Sequence, residues 1–215
     1  MKIEVKNVYK KFKSEEVLKD IDITFEKGKV YGLFGRNGSG KSVLQKLIAG
    51  IYVPTSGSIL YDGVDITKEK IYPLCVRVLI EKPSFFPDLT GFENLKILAE
   101  IQNTIGPKEI DRALEIVNLF DEKDKRYSKY SLGMKQKLGI AQAIMEDYDV
   151  LILDEPFNGI ERESVKKIID YLLEKKKEGK IIIVSSHIKD DLQKLADIFY
   201  EVDSGKVTKR NYEEL

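Results

Sequence analysis

Apolar residues recur along the chain with two periods, and the switches between them mark out strands and helices. Ile3, Val5 and Val8 alternate with Lys2, Glu4 and Lys6, which predicts a half-exposed opening strand. Ile21, Ile23 and Phe25 against Asp20, Asp22 and Thr24 predict a second strand, ended by a turn at Lys27-Gly28. Lys29 to Phe34 is an apolar run of strand length, and a helix opens at Lys41 with Leu44, Leu47 and Ile48 on one face. Pro54-Thr55-Ser56-Gly57 reads as a turn. Ile59–Tyr61 and Val64–Ile66 flank Asp62-Gly63, a hairpin signal, and Val76 to Ile80 reads as a buried strand.

From about Gly91 to Met145 the period is helical, with Leu95, Leu98 and Ala99, then Ile110, Leu114 and Val117, then Leu138, Ala141 and Ile144. Strand character returns at Val150 to Leu153. A long helix follows with Val165, Ile168, Ile169, Leu172 and Leu173 as its buried stripe, and Lys175-Lys176-Lys177 suit the negative end of its dipole as a solvated terminus. Ile181 to Val184 reads as a strand, Lys189 to Ala196 as a helix, and Ile198–Val202 with Lys206–Thr208 as a closing hairpin. The pattern is an α/β core interrupted by one helical insertion.

Between the strand Lys29–Phe34 and the helix at Lys41 lies Gly35-Arg36-Asn37-Gly38-Ser39-Gly40-Lys41-Ser42, the spacing G-x-x-x-x-G-K-S in strand–loop–helix context. Triphosphate oxygens need several backbone N–H groups turned towards them, with no side chain in the way. Gly35, Gly38 and Gly40 permit that bend, and the helix N-terminus adds donors and its positive dipole end. Lys41 supplies a point charge for the β- and γ-phosphates, and the Ser42 hydroxyl can ligate Mg²⁺. The stretch therefore predicts binding of a nucleoside triphosphate.

Composition narrows the setting. The chain has 215 residues, with 36 basic and 36 acidic side chains, so no broad basic field exists for nucleic acid. Cys75 is the sole cysteine, which allows no intrachain disulfide, and it reads as a small buried hydrophobe. No apolar run reaches the ~18 residues of a membrane span, and the alternating start lacks the apolar block of a signal peptide. The expectation is a cytosolic protein.

Two further stretches carry chemistry. Val150-Leu151-Ile152-Leu153 ends in Asp154-Glu155, two carboxylates where open α/β sheets place their ligands. Asp154 fits the Mg²⁺ shell and Glu155 a base or water-positioner. Ser131 in Tyr130-Ser131-Leu132-Gly133-Met134-Lys135-Gln136 precedes a helix, as either an N-cap or an anion site.

Together these stretches resemble the nucleotide-binding subunit of ABC transporters over essentially the whole length. Gly35–Ser42 matches the family's Walker A motif, Val150–Glu155 its Walker B motif with the following catalytic Glu, and Ser131–Gln136 its signature, usually S-G-G-Q-x-Q. His187, the only histidine, follows a strand as the family's switch histidine does, and Phe12 falls where the family places a ring that stacks on adenine. The resemblance implies a RecA-like P-loop core with an antiparallel β subdomain (residues 1–82 and 146–215) and a helical signature subdomain (residues 83–145), together one ATPase domain. It also implies ATP with Mg²⁺, nucleotide contacts from Arg36, Asn37, Ser39 and Val43, and catalysis by Lys41, Glu155 and His187. In such a subunit two chains close head to tail on ATP, with Ser131 and Gly133 of one facing the loop of the other. A polytopic permease would be the partner, on the inner face of the cell membrane, and Phe85, Phe86 and Leu89 are either contacts to it or packing within the helical subdomain.

The segments Ile80-Glu81-Lys82-Pro83, Phe85, Pro87, Leu89-Thr90 and Glu93-Asn94-Leu95 are similar to ATPases of bacitracin- and lantibiotic-resistance exporters. Export of a peptide, antibiotic or other small molecule is the corresponding expectation. Glu81 stands where most relatives carry Gln and is expected beside Mg²⁺. Leu132 and Met134 replace Gly and Gln of the signature, Val43 replaces Thr, and Glu161 replaces Asp with a longer arm expected to weaken coupling across the dimer. The competing readings are a soluble ABC ATPase acting as an assembly factor and a small-molecule kinase, which would leave the signature stretch and His187 without a role.

Overall fold

The computed structural model describes residues 1–69 and 72–211. The chain opens with β1 (Lys2–Phe12), β2 (Glu15–Glu26), β3 (Lys29–Phe34) and α1 (Lys41–Ile48), then β4 (Ser56–Tyr61), β5 (Val64–Asp65) and β6 (Val76–Leu79). Three helices follow: α2 (Gly91–Gln102), α3 (Pro107–Ile116) and α4 (Leu132–Ile144). The rest is β7 (Val150–Asp154), α5 (Arg162–Lys177), β8 (Ile181–Ser186), α6 (Lys189–Gln193), β9 (Ile198–Asp203) and β10 (Lys206–Arg210). One sheet is antiparallel, in the order β2-β1-β4-β5. The other has the order β10-β9-β3-β8-β7-β6 and is parallel except for β10.

The parallel sheet is covered on both faces, which is why β8 is buried at every residue rather than alternating. Period-2 geometry still divides its side chains. Val30, Phe34, Leu151, Leu153, Ile182 and Val184 pack with the helices α2 to α5. Tyr31, Leu33, Val150, Ile152, Ile181 and Ile183 pack with β1, β2 and α1 in a second core between the two sheets. The Asp62-Gly63 hairpin forms as expected, with φ of 49° and 86° at its two turn residues and Tyr61 paired to Val64. α2 begins on a capping box in which Glu93 N–H donates to Thr90 Oγ1 at 3.1 Å and Thr90 N–H to Glu93 Oε2 at 2.7 Å.

Several sequence expectations are corrected. Val76–Leu79 is an edge strand rather than a fully buried one: Arg77 at its centre donates to Glu146 Oε2 at 2.9 Å, tying the edge to the segment after α4. α6 stops at Gln193 because Asp197 takes the chain out of the helix, its N–H donating to the Val30 carbonyl and its carboxylate accepting from Val30 N–H, both at 2.8 Å. The buried face of α5 is rotated slightly, with Ser164 and Tyr171 inside and Val165 and Leu173 half-buried. At the end of α5, Lys175 and Lys176 are engaged by Glu178 and Asp197 rather than simply solvated. Cys75 is half-buried, and burial raises its thiol pKa. No helix among the described residues is long and apolar enough to cross a membrane.

Candidate active site at the ends of β3, β7 and β8

β3, β8 and β7 are neighbours, so the segments leaving their C-terminal ends meet at one place. The loop after β3 begins at Gly35 with φ 152°, where a Cβ would lie 2.1 Å from the Val202 carbonyl oxygen. Only glycine fits there. The loop turns back into α1, and Lys41 lies buried beneath it, its Nζ donating to the carbonyls of Gly35 at 2.7 Å and Arg36 at 3.2 Å. Ser39 is buried, and its hydroxyl has no hydrogen-bond partner among the described residues.

Ser42, next on α1, donates to Asp154 Oδ2 at 2.6 Å. The other oxygen of Asp154 accepts from the Ser185 hydroxyl at the end of β8. Glu155 has a left-handed backbone, φ 47°, fixed by its N–H donating to the Ser185 carbonyl at 3.1 Å. That turn points its carboxylate back over the loop. Oε2 is 2.8 Å from His187 Nδ1, while Oε1 lies 3.9 Å from Lys41 Nζ, buried and without a hydrogen-bond partner among the described residues. A cavity of about 170 Å³ on this floor is lined by Asn37, Gly38, Gly40, Lys41, Ser42, Val43, Asp154 and Glu155. A wider cleft of about 760 Å³ beside it includes Gly35, Arg36, Asn37 and His187. The chemistry available is a cation, hard oxygen donors and a carboxylate with one uncommitted acceptor, beside backbone N–H groups at a helix start.

The other expected residues lie apart from this cluster. Phe12 ends β1 in the antiparallel sheet, is 40% exposed, and stands edge-on to Tyr52 at 5.5 Å with Lys10 Nζ 4.8 Å from its ring centre. Ser131 caps α4, accepting from Met134 N–H at 3.2 Å, and Gly133 packs so tightly that a Cβ would lie 2.4 Å from the Gly159 carbonyl oxygen. Among the described residues no hydrogen bond joins Ser131 or Gly133 to the loop Gly35–Gly40. Glu81 also lies apart, its carboxylate bound to Lys46 on α1.

Comparison with known proteins identifies the family. The family described as ABC transporter matches residues 18–158. The chain belongs to the ABC transporter family. YybJ of Bacillus subtilis (strain 168), an uncharacterized ABC transporter ATP-binding protein, is 44% identical over 205 residues, 95% of this chain and 94% of its own length. The bacitracin transport ATP-binding protein BcrA of Enterococcus faecalis is 41% identical over 199 residues; these cover 91% of this chain and 64% of that relative. A solved ATP-binding cassette, dimeric in a post-hydrolysis state with ADP and Pi, superposes with a TM-score of 0.87 over 97% of this chain and 98% of that one. At 20% identity that match speaks for the fold. The chain is an ATP-binding, ATP-hydrolysing subunit of the family.

In this ABC ATPase α4 and α1 are each tied to β7 or the turn after it by a glutamine that sequence reading left without a role of its own. Gln136 Nε2 donates to the carbonyls of Glu155 and Pro156, both at 3.3 Å, and Gln45 Nε2 donates to the Leu153 carbonyl at 3.2 Å. Ser185 was legible only as a hydroxyl closing an apolar run just ahead of the sole His. Lys137 is buried in α4 and donates to Glu161 Oε1 at 2.7 Å and to the Asn118 carbonyl at 3.0 Å. Glu161 also accepts from Ser164 at 2.6 Å, so its arm is occupied within the chain.

The hydrogen bond from Lys137 is the first cause that holds the Glu161 carboxyl at about 2, well below its ordinary 4.5. A depressed folded-state pKa gives stability that is fully present above the ordinary value and lost as pH falls towards the folded one. Glu161→Gln is therefore expected to lower the urea midpoint at about pH 6 and to differ progressively less from the parent protein towards about pH 3. A gap that stays constant over that range would show that the pair does not titrate as described.

Proposed function

We propose that this subunit couples ATP-driven closure of two head-to-tail copies to transport by a separate polytopic membrane protein, most plainly export of a peptide antibiotic or similar small molecule. The observation that carries the reading is the convergence of Lys41, Ser42, Asp154, Glu155 and His187 where the segments leaving β3, β7 and β8 meet. In this reading, the loop N–H groups from Gly35 to Gly40 and Lys41 hold the triphosphate of ATP. Glu155 orients a water at its free Oε1 and accepts its proton; His187 steadies the other oxygen and reaches the γ-phosphate.

The donor set also fits Mg²⁺, since a hydroxyl and a carboxylate oxygen already 2.6 Å apart are hard ligands of the kind it prefers. Ser42 and Asp154 would hold the ion, which supplies charge neutralisation for the phosphates. Phe12, exposed at the edge of the other sheet, would stack on the base.

Ser131 and Gly133 complete a site on the other copy, which is why they lie away from the loop of their own chain. The dimeric cassette that superposes on this chain supports such pairing. Residues 1–82 and 146–215 form the core of this single ATPase domain, and residues 83–145 its helical part. Of the three side chains expected to meet the membrane partner, Phe85 packs edge-on to Tyr127 at 5.3 Å and Leu89 is half-buried, which leaves Phe86, 60% exposed, as the contact. The subunit would then sit peripherally on the inner membrane face. The name of BcrA, a bacitracin transport protein, supports export of a peptide antibiotic. Affinity capture of the tagged chain from gently solubilised membranes of its source cell tests this: a polytopic protein in stoichiometric amount is expected. Capture of a soluble partner alone would overturn the transport reading and leave the ATPase standing.

A further inference from the structure

Lys46 lies one helical turn beyond Ser42 on α1, and the structure gives it two neighbours that the reaction as described does not use. Its ammonium hydrogen-bonds to the Glu81 carboxylate and lies 5.2 Å from the centre of the Tyr52 ring. The Lys46 carbonyl in turn accepts from the N–H groups of Ile51 at 2.9 Å and Tyr52 at 3.1 Å, so lysine and ring are held by the same turn. The lysine side chain is 15% exposed and the glutamate 67%. Glu81 has φ 68°, a left-handed backbone that a non-glycine residue adopts only when its surroundings hold it there. The pair thus joins the segment after β6 to the helix that presents the phosphate loop.

The charge arithmetic gives this a consequence for binding. ATP brings several negative charges to the N-terminal end of α1, and Glu81 adds another from the same helix side. Charges within about a Debye length, ~10 Å at 0.1 M salt, still feel one another. We propose that Lys46 is a positioning residue of the ATP site: it pins the segment carrying Glu81 and cancels that carboxylate's charge, so that the triphosphate binds without repulsion. This rests on the reading of Gly35–Ser42 as the ATP site. Glu81 held on Lys46 is useful only as a neutral pair, and the lysine is more important to binding when the glutamate is present than when it is not.

The test is a double-mutant cycle read by binding of a ribose-labelled fluorescent ATP analogue in excess EDTA, which separates it from metal and turnover. Lys46→Met is expected to weaken binding roughly three- to tenfold at low salt, and less at high salt. In the Glu81→Gln background the same change should alter affinity by less than about twofold, and Lys46→Arg should retain binding. Thermal midpoints of the parent and the four variants show whether each folds. An equal loss in both backgrounds, or none in either, would overturn the proposal, since a merely structural lysine does not depend on the charge at position 81. Parent protein that fails to bind the analogue would overturn the ATP site itself, an outcome distinguishable from a failed cycle.

Discussion

Glu155→Gln keeps ATP bound, loses about two to four orders of magnitude in turnover and accumulates an ATP-loaded dimer. The substitution preserves size and leaves an amide that can still hydrogen-bond to His187 Nδ1, 2.8 Å from the carboxylate in the parent protein. What it removes is the basic oxygen. Oε1 of Glu155 is buried and has no hydrogen-bond partner among the described residues, so in the carboxylate it is free to take a proton from an attacking water. General-base contributions of roughly 10²–10⁴ set the expected size of the loss. Binding survives because the groups that hold the triphosphate are the loop and Lys41. Removing the negative charge 3.9 Å from Lys41 Nζ also leaves that ammonium freer to meet a phosphate. Single-turnover hydrolysis, with size-exclusion chromatography in ATP, checks both halves. Turnover like that of the parent protein would remove Glu155 from the role.

Lys41→Ala is expected to weaken ATP binding by more than tenfold and to abolish measurable hydrolysis. The ammonium, 6% exposed, sits under the loop with its hydrogen bonds to the Gly35 and Arg36 carbonyls. Its loss deletes the site's point charge and leaves two carbonyls of a tight loop without their donor. Lys41→Arg should not rescue, because a planar guanidinium needs a different arrangement of acceptors from a compact ammonium in the same buried space. Isothermal titration with ATP and a phosphate-release assay separate lost binding from lost chemistry. Tight binding by Lys41→Ala would mean that the loop amides alone hold the nucleotide.

Much of this site was legible in the sequence because its parts sit at forced places. Glycines at the start of the loop are dictated by backbone approach, as the Gly35–Val202 contact shows. Asp154 and Glu155 close an apolar run, so their place at a strand end followed from period alone. The strand order and the division of the parallel sheet into two packing faces came from tertiary pairing, which local pattern does not record. The pairing of Glu81 was not legible for the same reason: its partner Lys46 is far away in sequence and carries no motif, and only the tertiary fold brings them together. The intrachain partners of Glu161, Lys137 and Ser164, were likewise not legible, since only the packing of α4 beside the start of α5 brings Lys137 to it. Segment ends were also set by long-range bonds, as when Asp197 stops α6 by pairing with the start of β3.

The central claim is that ATP is hydrolysed at a site shared by two copies, and mixing two inactive variants tests it most directly. Lys41→Ala removes the phosphate loop's charge, and Ser131→Arg blocks the N-terminus of α4. In a head-to-tail pair made of one of each, one site carries both defects and the other carries neither. The expected result is ATP hydrolysis in the mixture well above the sum of the two variants assayed alone, rising as protein concentration favours pairing. A mixture as inactive as its components at every ratio and concentration would contradict the shared site.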